Sequence, residues 1–80
     1  MADPRYEKVG TLDVIVMEEC AELMKAICKA RRFGWSSTHP DRPDRTNEED
    51  VEAEMLDVEV AIQRLRGKLA KAAEKEKRAW

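Results

Sequence analysis

Apolar residues recur at helical spacing from Leu12 to Phe33: Leu12, Val16, Cys20, Leu23, Ile27 and Ala30. Steps of three and four put them on one face and predict a helix over 11–33. Gly34 follows in the place where helices commonly end in a left-handed residue. Arg31 and Arg32 fall in the last turn, where cations suit the helix dipole. The stretch WSSTHPDRPDRT is polar and carries Pro40 and Pro43, so 34–46 reads as a loop. Thr46 is a good N-cap, and Glu49 three residues on completes a capping box. Val51, Met55, Val58, Ile62, Leu65 and Leu69 then repeat the helical pattern and predict a second helix over 47–78. Acids lead that helix and bases trail it, in keeping with its dipole. Gly67 is tolerable inside it. The stretch before Gly10 is either a turn of helix or a loose arm. No alternating run of β-branched residues argues for a strand. The expected fold is all-α: one domain over 1–80, made of two long antiparallel helices in a hairpin. Such a hairpin has one seam to bury, so a second copy is expected to complete a four-helix bundle.

Length strengthens the case for self-association. A chain of 80 residues and 9.2 kDa with 40% charged side chains makes one domain and buries only roughly 60–65% of its unfolded surface. Chains this short recruit a disulfide, a metal or another copy of themselves. Cys20 and Cys28 sit about 12 Å apart along a helix, too far to bridge, and are expected to be reduced, half-buried thiols. One histidine, His39, and no CxxC leave no zinc site. No apolar run approaches a membrane span, and MADPRYEKVG has no signal-peptide pattern, so a cytoplasmic location is expected. With 15 basic and 17 acidic residues the formal charge is −2, which argues against a general nucleic-acid binder. The charge is unevenly placed. Residues 47–60 hold seven acids and no base, whereas 61–80 hold seven bases and two acids.

The placement of certain acids suggests chemistry. With Val16 as zero on a helical wheel, Leu23 and Ile27 fall within about 20°, Glu19 near −60° and Glu22 near −120°. With Val51 as zero, Val58 and Ile62 fall within about 20°, Glu54 near −60° and Asp57 near −120°. Each helix thus carries an acidic pair on the same-handed flank of its apolar face. Turning two such helices antiparallel brings both flanks to one edge. Four gathered carboxylates repel, so they take up protons or hold a cation. Oxygen-only ligands favour hard ions such as Mg²⁺, Mn²⁺ or Ca²⁺. A di-iron bundle would need Glu-x-x-His repeats, which are absent. The plain alternative is that these are solvent-facing helix charges, and Glu48, Glu49, Asp50 and Glu52 read as a complement to the helix N-terminus.

Glu18-Glu19-Cys20-Ala21-Glu22 followed by Glu54-Met55-Leu56-Asp57 resembles the EExxE…ExxD pattern of MazG-like, all-α nucleoside triphosphate pyrophosphohydrolases. MEECAEL…KAICKARRFG also looks like small phage-type members of that group, and the resemblance spans 12–66. It implies Mg²⁺-dependent (Mn²⁺ being possible) hydrolysis of a (d)NTP to the monophosphate and pyrophosphate, for house-cleaning or control of the dNTP pool. By motif position Glu19, Glu22, Glu54 and Asp57 would be the metal ligands. Glu18 falls near −160° on the wheel and would orient or deprotonate the attacking water, or sit in the outer shell.

Bases must complete a phosphate site, and Lys29, Arg32, Arg42 and Arg45 are the candidates, with Lys29 foremost and Arg31 left to the helix dipole. Trp35 either stacks on a base or packs the loop against the helices. Phe33 is expected in the core. Asn47 either reads a base edge from a partner chain or caps its helix. Two readings from other classes stand beside the enzyme: a non-enzymatic helical adaptor, and a nucleic-acid-associated regulator acting through the basic tail.

Overall fold

The computed structural model describes residues 7–79, with side chains from 10 to 75. Helix α1 spans Glu7–Phe33 and helix α2 spans Asn47–Ala79. Leu12 and Ile15 share a groove with Arg64 and Lys68, and Lys29 lies beside Asn47 at the other end, so the helices run antiparallel. The all-α hairpin is as expected. Helix α1 starts at Glu7, ahead of the expected 11, so the residues just before Gly10 are helical. What precedes Glu7 lies outside the described residues.

Alternate steps of three and four define the seam between the helices. Along α2 it runs through Val51, Glu54, Val58, Ala61 and Leu65 to Ala72, all buried or half-buried. Along α1 it runs through Leu12, Val16, Glu19, Leu23, Ala26 and Ala30, likewise. This corrects the wheel reading. Met55, Ile62 and Leu69, expected at the centre of the apolar face, are 46%, 36% and 44% exposed. The true seam is rotated toward the acidic flank, so Glu19 and Glu54 stand in it rather than beside it. Phe33, expected in the core, is 63% exposed. It is the last residue of α1, and the Arg32 guanidinium lies 5.9 Å from its ring centre, a cation–π distance.

Gly34 ends α1 with φ of 105° and donates its N–H to the Ala30 carbonyl at 2.9 Å, as expected of a glycine just past a helix end. The capping box forms too. Glu49 N–H donates to Thr46 Oγ1 at 3.2 Å and Thr46 N–H to Glu49 Oε1 at 3.0 Å. The connection is not a plain loop, however. Thr38–His39 (β1) pairs antiparallel with Arg42–Thr46 (β2), with Thr38 opposite Thr46, His39 opposite Arg42 and a register shift between. Pro40 and Asp41 make the turn, proline suiting its first central position, and Asp41 N–H donates to His39 Nδ1 at 3.0 Å. Most of this ribbon is exposed, only Arg45 and Thr46 being half-buried, so no apolar alternation is needed and none exists in the sequence.

Three bonds tie the connection to the helix ends. Asn47 N–H donates to the Ser37 carbonyl at 2.8 Å, Glu48 N–H to the Trp35 carbonyl at 2.9 Å, and Asn47 Nδ2 to the Gly34 carbonyl at 2.8 Å. Asn47 is therefore a buried strut between the two helices, while Thr46 does the capping. Trp35 holds the connection through its backbone, its side chain being 44% exposed.

The molecule is a rod of 56 × 21 × 18 Å with a radius of gyration of 17.4 Å. A compact domain of this length would have about 12 Å. Cys20 and Cys28 are unbridged, the first half-buried as expected, the second exposed. Among the described residues no helix is long and apolar enough to cross a membrane.

Candidate active site

Helix α1 presents Glu19 and Glu22 one turn apart, and α2 presents Glu54 and Asp57 in the same way. The seam brings three of them together. One carboxylate oxygen from each of Glu19, Glu54 and Asp57 lies within 4.8 Å of the other two. Glu19 and Glu54 are half-buried and Asp57 is exposed. The carboxyl of Glu54 is pushed above its ordinary range, first by burial and then by the negative charge of Asp57, Glu19, Glu22 and Asp50. A seam position that favours the neutral acid is a position where a cation would be welcome.

Glu22 lies outside this three-oxygen group but in the wall of an adjoining cleft of about 220 Å³. Asp50, Glu54 and Asp57 supply further acids to that wall. Lys25 and Lys29 from α1 and Arg42 and Arg45 from the ribbon supply its bases. Lys29 and Arg45, two of the expected phosphate contacts, thus line the same cleft. Arg32, the third expected phosphate contact, does not line the cleft and lies over Phe33 instead. Glu18 is exposed and belongs neither to the three-oxygen group nor to the cleft wall.

Sequence reasoning passed over Asp50, which it assigned to the helix dipole. Its side chain is only 16% exposed and sits between two arginines, with Arg42 Nη2 at 3.3 Å from Oδ2 and Arg45 Nε at 3.0 Å from Oδ1. The latter contact is close but poorly directed, and buried Oδ1 receives no aligned hydrogen bond. A signal for it existed. On the wheel that placed Glu54 and Asp57, Asp50 falls near −100°, between them.

The donor set fits a hard divalent ion. All three atoms are carboxylate oxygens. Octahedral Mg²⁺, with ligands at about 2.1 Å, spans about 4.2 Å between opposite oxygens, and the three oxygens lie within 4.8 Å of one another. Such an ion keeps open positions for water and for phosphate oxygens. No protein-family model, curated protein or solved structure matches this chain.

Proposed function

We propose that this chain is a Mg²⁺-dependent nucleoside triphosphate pyrophosphohydrolase resembling the MazG-like group, with Mn²⁺ as a possible substitute for Mg²⁺. One observation carries the reading: three seam carboxylates converge from two helices beside a cleft to which Lys25, Lys29, Arg42 and Arg45 bring four bases. A polyphosphate and its divalent counter-ion need this division of labour, since bare acids repel a triphosphate and bare bases do not hold the cation. Glu19, Glu54 and Asp57 would hold the ion, with Glu22 completing the set from the cleft wall. The bound ion would supply charge neutralisation and polarisation at phosphorus, and a water of lowered pKa.

The chain's own groups do the rest. Lys29 and Arg45 bind phosphate oxygens, and Lys25 and Arg42 close the same wall. Glu18, turned to solvent, orients the attacking water and takes up its proton through a bridging water. Water adds to phosphorus, the α–β anhydride bond breaks, and pyrophosphate leaves with the monophosphate as co-product. Clearing non-canonical nucleotides or trimming the dNTP pool would be the cellular use, in the cytoplasm.

Self-association belongs to the same proposal. Met55, Ile62 and Leu69 recur every seven residues on the exposed side of α2. An antiparallel two-fold pairing centred on Ile62 sets Met55 against Leu69 of the partner subunit. It also lays the acidic half of α2, seven acids without a base, along a half with seven bases and two acids. Opposed charge beside an apolar stripe specifies orientation in paired helices. A homodimer is thereby a four-helix bundle, and a homotetramer two of them.

The test is product identification from a panel of standard and oxidised (d)NTPs with Mg²⁺ or Mn²⁺. Release of pyrophosphate is expected. A panel that stays inert with both ions refutes the enzyme and favours the adaptor.

A further inference from the structure

We infer that Asp50 is a positioning residue, which holds Arg42 and Arg45 over the cleft as a ready-made receptor for the polyphosphate. The inference rests on the phosphate role proposed above for the cleft and concerns how its basic wall is kept in shape. Arg42 and Arg45 come from a short ribbon of polar residues and prolines, Arg42 exposed and Arg45 half-buried, with little apolar packing of its own. Nothing about so short a strand aims a long flexible side chain, and such side chains lose rotamer entropy when fixed. Asp50 is anchored differently. It stands in the first turn of α2, within the helix started by the Thr46–Glu49 box, and is largely buried.

One carboxylate reaching both guanidinium groups, at 3.0 and 3.3 Å, draws two cations together that would otherwise repel. The contacts use one nitrogen of each arginine. The other N–H groups remain for a ligand, since a guanidinium carries five in a fixed fork.

The sign of the effect distinguishes this from simple charge counting. Asp50 adds negative charge to a cleft meant for an anion, so bulk electrostatics says that removing it tightens anion binding. The positioning role says the opposite. The probe is inorganic tripolyphosphate, titrated calorimetrically with Mg²⁺ present, against Asp50→Asn, the double variant Arg42→Gln/Arg45→Gln, and the triple variant. Asp50→Asn is expected to weaken binding about tenfold, the scale of one charge-assisted contact. In the background lacking both arginines the same change is expected to cost nothing or to tighten binding, because its effect runs through them. Asp50→Glu is expected to recover part of the loss.

Equal or tighter binding by Asp50→Asn in the otherwise unaltered chain overturns the inference. So does a loss of equal size with and without the arginines, which would mark a purely structural role. Failure of the unaltered chain to bind tripolyphosphate at all would instead strike the phosphate-site reading itself, and this inference with it.

Discussion

Replacing Glu54 with glutamine should stabilise the metal-free protein, although it alters a residue at the centre of the proposed site. At the outer limit of 4.8 Å, two unit charges repel by about 0.9 kcal/mol in bulk water and about 3.5 kcal/mol at an effective dielectric constant of about 20. Glu54 and Glu19 are half-buried and Asp57 is exposed, so the lower figure is the better guide. Glutamine relieves two such repulsions while keeping shape and polarity. Screening by salt trims the gain to about 1 kcal/mol, or about 4–8 °C in Tm for a chain of this size.

The assay is thermal unfolding by circular dichroism at one protein concentration, in EDTA and then in excess Mg²⁺. In EDTA the variant should melt higher. In Mg²⁺ the unaltered protein should gain and the variant should not. The pH dependence follows from the raised carboxyl of Glu54. An acid whose folded-state pKa exceeds its unfolded value binds its proton more tightly when folded. The protein therefore gains stability from this group as pH falls from the raised value to the ordinary one. The difference between the two proteins should close across that window. A variant no more stable than its parent in EDTA, or one that keeps the full Mg²⁺ response, would refute the convergence of charge at this site.

Thr46→Ala should lower stability by about 1 kcal/mol, the usual worth of an N-cap, read as a drop in Tm. Glu49, held below its ordinary pKa first by the Thr46 backbone N–H and then by the Thr46 hydroxyl, stabilises the fold above that ordinary value and loses its contribution as pH falls through the depressed one. Glu49→Gln should flatten this acid limb of a stability–pH curve. Gly34→Ala should cost about 1–2 kcal/mol in urea unfolding, since φ is 105° and a left-handed alanine is strained by about that much. If the proposed pairing through the outer stripe of α2 holds, Ile62→Asp should leave only monomer in analytical ultracentrifugation. An assembly that survives it would place the contact elsewhere.

The helices, their ends at Phe33 and Thr46 and the acidic edge were all legible, because each depends on residues close in sequence. Gly34 and the Thr46–Glu49 box carry their meaning within a few positions. The ribbon was not legible, since most of it meets water and even its half-buried Arg45 and Thr46 are polar, so it leaves no apolar alternation to find. Asp50 was missed for a related reason. Its partners lie in a connection that folds back over α2, and what made it stand apart from Glu48 and Glu49 was that return of the chain.

The misplaced wheel has a more instructive cause. Centring each helix on its apolar residues averages every apolar residue, whatever it faces. On α2 they belong to two stripes: Val51, Val58, Ala61 and Leu65 toward α1, and Met55, Ile62 and Leu69 away from it. The average falls between the two, about 40–50° from the seam, and this displacement made Glu54 look like a flank residue. The same displacement measures the second stripe. A helix with a single contact face would have its apolar centre on its seam, so the rotation that carries Glu19 and Glu54 into partial burial is also what leaves Met55, Ile62 and Leu69 in water. On the proposed function the two features support one another: a bundle formed through the outer stripe stiffens the helices against which the three carboxylates are held at close quarters.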